Sequence, residues 1–73
     1  MLNEFTIIFE RGENGWWIST IPEVPGAFSQ GRTKDEARQN ALDALTALMA
    51  ARRELALRQR AADSEVETIR IAR

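Results

Sequence analysis

The side chains that could do chemistry in this 73-residue chain form a short inventory, because histidine and cysteine are both absent. Without imidazole, the commonest general base and the commonest metal ligand are gone. Without thiols there is no thiolate nucleophile, no cysteine zinc site and no disulfide. What remains includes the carboxylates of Glu4, Glu10, Glu13, Asp35 and Glu36 and the hydroxyls of Ser19, Ser29 and Ser64. Two-metal phosphodiester cleavage needs several carboxylates converging on ions ~4 Å apart. Glu4 and Glu10 share one strand face but are separated by about 20 Å at strand rise. Glu13 falls in a turn, Asp35 and Glu36 belong to a helix start, and no base accompanies the serines. The expectation is a protein without catalytic residues, metal or cofactor, that is, not an enzyme.

Composition narrows the class further. Ten basic and eleven acidic residues leave a net charge of −1, too balanced for a surface that grips nucleic acid all round. Hydrophobic residues make up 44%, which suits a globular chain rather than a disordered one. The length fits a single domain over residues 1–73, and a chain this short buries only ~60% of its unfolded surface. Small domains without disulfides or metal lean on oligomerisation, so a homodimer is expected, with a tetramer as the larger alternative. The apolar run Phe5 to Phe9 is too short for a secretory signal or a membrane span. The expected location is the cytoplasm.

The elements that must position these residues follow from periodicity. In residues 2–10, Phe5, Ile7 and Phe9 alternate on one face, as in a half-buried strand. Asn14-Gly15 suits a tight hairpin turn, and Trp16 to Ile21 reads as the returning strand. Pro22 ends it, Pro25-Gly26 makes a second turn, and Ala27 to Gln30 fits a short third strand. Thr33 and Glu36 have capping-box spacing, and no glycine or proline occurs from Lys34 to Ala62, which predicts a long helix. Val66 to Ile71 alternates again and predicts a fourth strand. The order βββαβ gives an α+β layer, an antiparallel three-stranded core with a fourth strand added and one long helix on one face.

Two features of the helix point outward. Glu36, Gln39, Asp43, Thr46 and Arg53 mark a solvated stripe, while Ala37, Ala41, Leu42, Ala44, Leu45, Leu48 and Met49 fill an arc wider than one sheet requires. A helix from Lys34 to Arg60 would span ~40 Å at 1.5 Å per residue, against ~20–27 Å for the strands. The distal turns therefore predict a break or a partner contact between Arg52 and Ala62. Charge is segregated as well: residues 1–23 carry −3 and residues 52–60 carry +3.

Ile21-Pro22-Glu23-Val24-Pro25-Gly26-Ala27-Phe28-Ser29-Gln30-Gly31-Arg32-Thr33-Lys34-Asp35-Glu36-Ala37 resembles the signature of HicB-type antitoxins, and Gly15-Trp16-Trp17 resembles the start of their second strand. The resemblance covers roughly Phe5 to Leu45. It implies a truncated ribonuclease-H-like β-β-β-α-β fold and a role in binding and blocking HicA-type toxins, small ribonucleases that degrade mRNA. Many members of that family carry a further C-terminal DNA-binding module; only two residues follow Ile71, so a stand-alone domain without one is expected. The glycine–proline punctuation many relatives show after the helix is replaced by the Arg- and Ala-rich run Arg52 to Ala62.

Under that reading the protein acts by occlusion in a type II toxin–antitoxin system, its acidic N-terminal half facing the toxin's basic RNA-binding surface. The alternative is a toxin-less homo-oligomer with a regulatory or scaffolding role. Direct nucleic-acid binding by the arginine cluster is the least expected. Adjacent strand residues face opposite ways, so Trp16 and Trp17 cannot both point at the helix, and the other is either a subunit or toxin interface anchor or partly buried against a loop. The candidate partner or subunit contacts are Trp16, Trp17, Phe28, Met49, Arg52, Arg53 and Leu55.

Overall fold

Two glycine-bearing turns set the sheet. The computed structural model describes residues 4–71, and Leu2 and Asn3 of the expected first strand lie outside them. Strand β1 (Ile8–Arg11) turns back through Gly12–Gly15 into β2 (Trp17–Thr20). In the turn the Gly12 N–H donates to the Trp16 carbonyl at 2.8 Å, Asn14 Oδ1 accepts from the Trp16 N–H, and Gly15 takes φ +83°. Beyond β2 the chain loops inward, with Ile21 N–H donating to Ala27 carbonyl at 2.9 Å and Gly26 at φ +91°. It returns as β3 (Phe28–Gly31). The three strands are antiparallel in the order β1-β2-β3, with cross-strand rows Ile8, Thr20, Phe28 and Glu10, Ile18, Gln30.

The helix α1 (Lys34–Gln59) begins where the capping spacing predicts. Thr33 Oγ1 accepts the Glu36 N–H at 3.0 Å, and the Glu36 carboxylate reaches back to the Arg32 N–H at 2.7 Å, one residue before the cap itself. Asp35 and Glu36 add negative charge at the positive end of the dipole. The helix lies over β3 and β2 and leaves β1 to the side. It comes down on small residues: Ala37 and Ala41 are fully buried, Ser19 Oγ donates to the Ala37 carbonyl at 2.8 Å, and Gly31 faces the first helical turn. Ile21, Val24, Ala27 and Ala41 form the core, flanked by Ile7, Leu45 and Leu48.

The α+β class and the order of three strands then helix agree with the sequence, each strand shifted by a residue or more. The helix ends inside the expected stretch between Arg52 and Ala62: it runs to Gln59, and Arg60 at its C-cap is extended. One expectation on the C-terminal half is corrected: the fourth strand is not formed. The chain reverses at Ala61–Ser64, where Ser64 N–H donates to the Ala61 carbonyl, and residues 65–71 run without sheet pairing. Thr68 to Ile71 lie beside Met49 and Arg53 of the helix.

Candidate protein-binding surface

Four surfaces surround this small core. The first is the sheet face away from the helix. Because Ser19 points to the helix, alternation sends Ile8, Ile18 and Phe28 to the opposite side. Nothing among the described residues covers that side: Phe28 is 63% exposed and Ile8 46%. Ile18 and Phe28 line a shallow hollow with Ser29 and Gln30, and Glu10 stands in the same cross-strand row as Ile18. An apolar patch with a carboxylate at its side suits a protein partner bearing basic groups.

The second surface is an aromatic and cationic cluster on the helix side. Phe9 meets Trp17 edge to face, with centroids 6.4 Å apart and planes at 89°. The Arg11 guanidinium lies 4.5 Å from the Trp17 ring centre, and Lys34 Nζ 5.1 Å from that of Phe9. Arg38 approaches Phe9 as well while pairing with Asp35. The cations of β1 and of the first turns of α1 thus cover these rings, and Arg11 also donates to the Gly15 carbonyl. Trp16 turns the other way, where Arg32 lies 5.5 Å from its ring.

A third surface is a groove between Phe5 and the outer side of the helix, lined by Leu45, Thr46, Met49, Ala50 and Arg53. The fourth is the distal helix with the return segment, where Leu55, Leu57, Val66, Ile69 and Ile71 are all exposed.

The seven residues expected at interfaces fall in different places. Trp16 and Phe28 share the open sheet face, whereas Trp17 belongs to the helix-side cluster, and both indoles are half-buried. Met49 and Arg53 come together in the Phe5 groove, and Leu55 projects from the distal turns. Arg52 is exposed and lies over the loop after β2, its guanidinium donating to the Pro25 carbonyl at 2.9 Å across 27 residues of sequence. Sequence reasoning missed Phe5, Ile8 and Ile18. The signal was present in Phe5-Thr6-Ile7-Ile8-Phe9, where apolar residues occupy both parities and so imply an apolar patch on both sheet faces.

Glu23 fastens the start of β1 to the loop after β2. Both its carboxylate oxygens accept the Thr6 N–H at 3.0 Å, and Oε2 accepts the Thr6 hydroxyl at 2.6 Å. The hydrogen bond from the Thr6 hydroxyl, then that from its N–H, holds the Glu23 carboxyl below the ordinary glutamate value. The clamp is therefore fully present above that ordinary value and is lost as pH falls through the lowered one. Carboxyl-carbon NMR titration of the Thr6→Val variant should place Glu23 at a higher pKa than in the parent. An unchanged titration would count against the clamp.

Among the described residues no three acidic side chains gather as a metal site, and no helix is long and apolar enough to cross a membrane. Residues 5–71 match the family model described as "HicB_like antitoxin of bacterial toxin-antitoxin system". The chain belongs to the HicB-like antitoxin family. Its relatives include a UPF0150 protein of Thermoplasma acidophilum, 39% identical over 60% of this chain and 64% of that one. A UPF0150 protein of Synechocystis is 43% identical over 51% of this chain and 54% of its own length. One of Archaeoglobus fulgidus is 29% identical over 58% and 61%. The match thus spans less than two thirds of each of these relatives. No solved structure matches the chain. The family model runs through Ile71, so the unpaired return segment belongs to the HicB-like domain as much as the sheet does.

Proposed function

We propose that this HicB-like chain is the antitoxin of a type II pair and blocks a HicA-type, mRNA-cleaving toxin by covering its RNA-binding surface. Membership of the family carries this reading, since the family is one of antitoxins of bacterial toxin–antitoxin systems. The open sheet face supports it: Ile8, Ile18 and Phe28 offer an apolar anchor, and Glu10 offers charge to a basic, RNA-binding partner. Trp16 extends that face. The site acts by occlusion, so it needs no catalytic residue or cofactor, and its place of action is the cytoplasm, where mRNA is exposed to the toxin. Met49, Arg53 and Leu55 are assigned to contacts between copies of the chain, and the expected assembly is a homodimer or a tetramer.

Purified chain added to a HicA-type toxin from the same operon should abolish cleavage of a test mRNA at equimolar ratio. Phe28→Asp should weaken inhibition by about tenfold or more while leaving the circular dichroism spectrum intact, because Phe28 is exposed and outside the core. Undiminished cleavage in excess chain would remove the antitoxin reading and leave the toxin-less, homo-oligomeric one.

A further inference from the structure

We infer that the aromatic and cationic cluster beside the start of α1 binds single-stranded nucleic acid, which is RNA in the setting of the proposed function. Only the choice of RNA rests on that function. The cluster lies on the helix side of the sheet, away from the docking face of Ile8, Ile18 and Phe28. A whole-chain charge of −1 argues against a surface that grips nucleic acid all round, but it does not describe this patch. Folding draws three cations onto two rings, Phe9 and Trp17. Arg11 comes from β1, and Lys34 and Arg38 come from the first two turns of α1.

The charges converge. Lys34 Nζ is shared between the rings, 5.1 Å from the centre of Phe9 and 5.8 Å from that of Trp17. Arg11 lies 4.5 Å from the centre of Trp17 and Arg38 5.4 Å from that of Phe9, and all three cationic residues are exposed. Of the carboxylates in the first helical turn, Asp35 pairs with Arg38, and Glu36 reaches back to the Arg32 N–H. Glu10 stands in the row of the opposite sheet face, level with Ile18. Like charges gathered this closely repel one another, and one carboxylate offsets only one of them. A polyanion relieves the rest.

The rings decide which polyanion. The helix lies over β3 and β2 and leaves β1 to the side. Phe9, Arg11 and Trp17 therefore floor an open step whose wall carries Lys34 and Arg38. Lys34 and Arg38 are one helical turn apart, about 6 Å at 1.5 Å per residue, so the wall presents charge at two levels. Both rings are half-buried and set edge to face, which holds them in place before anything binds. An unpaired base lays a flat face against an indole or a guanidinium while its phosphate meets a neighbouring cation. A duplex keeps those faces inside its own stack. An acidic polypeptide brings the charge without the planes.

Anisotropy of a short fluorescein-labelled oligouridylate should show binding to the full chain at about 10 μM in low salt. Three cations at −0.7 each give a slope of log affinity on log salt of about −2. Lys34→Gln combined with Arg38→Gln should weaken binding about tenfold or more and flatten that slope to about −0.7. Circular dichroism should be unchanged, because both side chains are exposed. Arg58→Gln, on the distal helix, should leave the affinity as it is. In a Trp16→Phe variant Trp17 is the sole indole, and the oligouridylate should quench its emission. Oligothymidylate should bind about as well, since no group in the cluster reads a 2′-hydroxyl, and a strong preference for it overturns RNA as the ligand. A duplex or polyglutamate bound as tightly as the single strand overturns the site, as does an affinity untouched by the paired substitution. Oligouridylate binding by a chain that fails to block the toxin overturns the antitoxin reading alone. A blocked toxin without oligouridylate binding overturns this site alone.

Discussion

Gly31→Ala should lower the stability of the protein by about 3 kcal/mol, the upper part of the range for overpacking a closed site. A methyl at Gly31 would stand 2.5 Å from the Ala37 nitrogen, 2.8 Å from the Glu36 carbonyl carbon and 2.9 Å from Glu36 Cβ. Two of those three atoms are backbone in the first turn of α1, so no rotamer change relieves the clash. The helix must lift, and with it go the Ser19–Ala37 hydrogen bond and the seat of Ala41. A chain of this size has roughly 4–11 kcal/mol in all, so much of the reserve disappears. Gly15→Ala provides the comparison: its φ of +83° disfavours a side chain, but nothing lies within 4 Å, so the cost is about 1 kcal/mol. Urea denaturation midpoints would rank the two, and a Gly31 variant as stable as the Gly15 variant would refute the close approach.

Ile21→Ala should cost about 2–4 kcal/mol. Ile21 is the largest fully buried side chain and is packed among Val24, Ala27 and Ala41. Its own N–H and carbonyl also bond Ala27 and Val24, so the loop around it is fixed and collapses poorly into the vacated space. Phe28→Ala, which removes a larger apolar group, should change stability by no more than about 0.5 kcal/mol, because Phe28 faces solvent. The order of these two effects separates the core from the docking face. Thermal unfolding of both variants measures it, and an equal loss from each would mean that the sheet faces have been assigned the wrong way round.

How much of this was legible beforehand can be seen residue by residue. Thr33 and Glu36 fix the helix start from sequence alone, because capping is a local matter of three residues. Gly15 and Gly26 likewise announce their turns by residue type. The faces of the sheet were half readable: the alternation of Phe5, Ile7 and Phe9 was visible, but which tryptophan faces the helix depends on the register with β2, and that is a tertiary quantity. Arg52 was read as part of a basic patch because nothing local reveals the Pro25 carbonyl 27 residues away. Val66 to Ile71 alternates as a strand does, yet it forms none. Local propensity states what a segment favours, whereas pairing depends on tertiary contacts that the alternation does not carry.

The seam between helix and sheet is made of Gly31, Ser19, Ala37 and Ala41, residues with almost no side chain to withdraw from water. Adhesion there comes from dispersion between closely apposed main chains more than from hydrocarbon dehydration. Dehydration is what gives unfolding its large heat-capacity increment, so this joint contributes little curvature to the stability profile. Cooling and warming should alter the grip of helix on sheet less than they would in a leucine-filled interior.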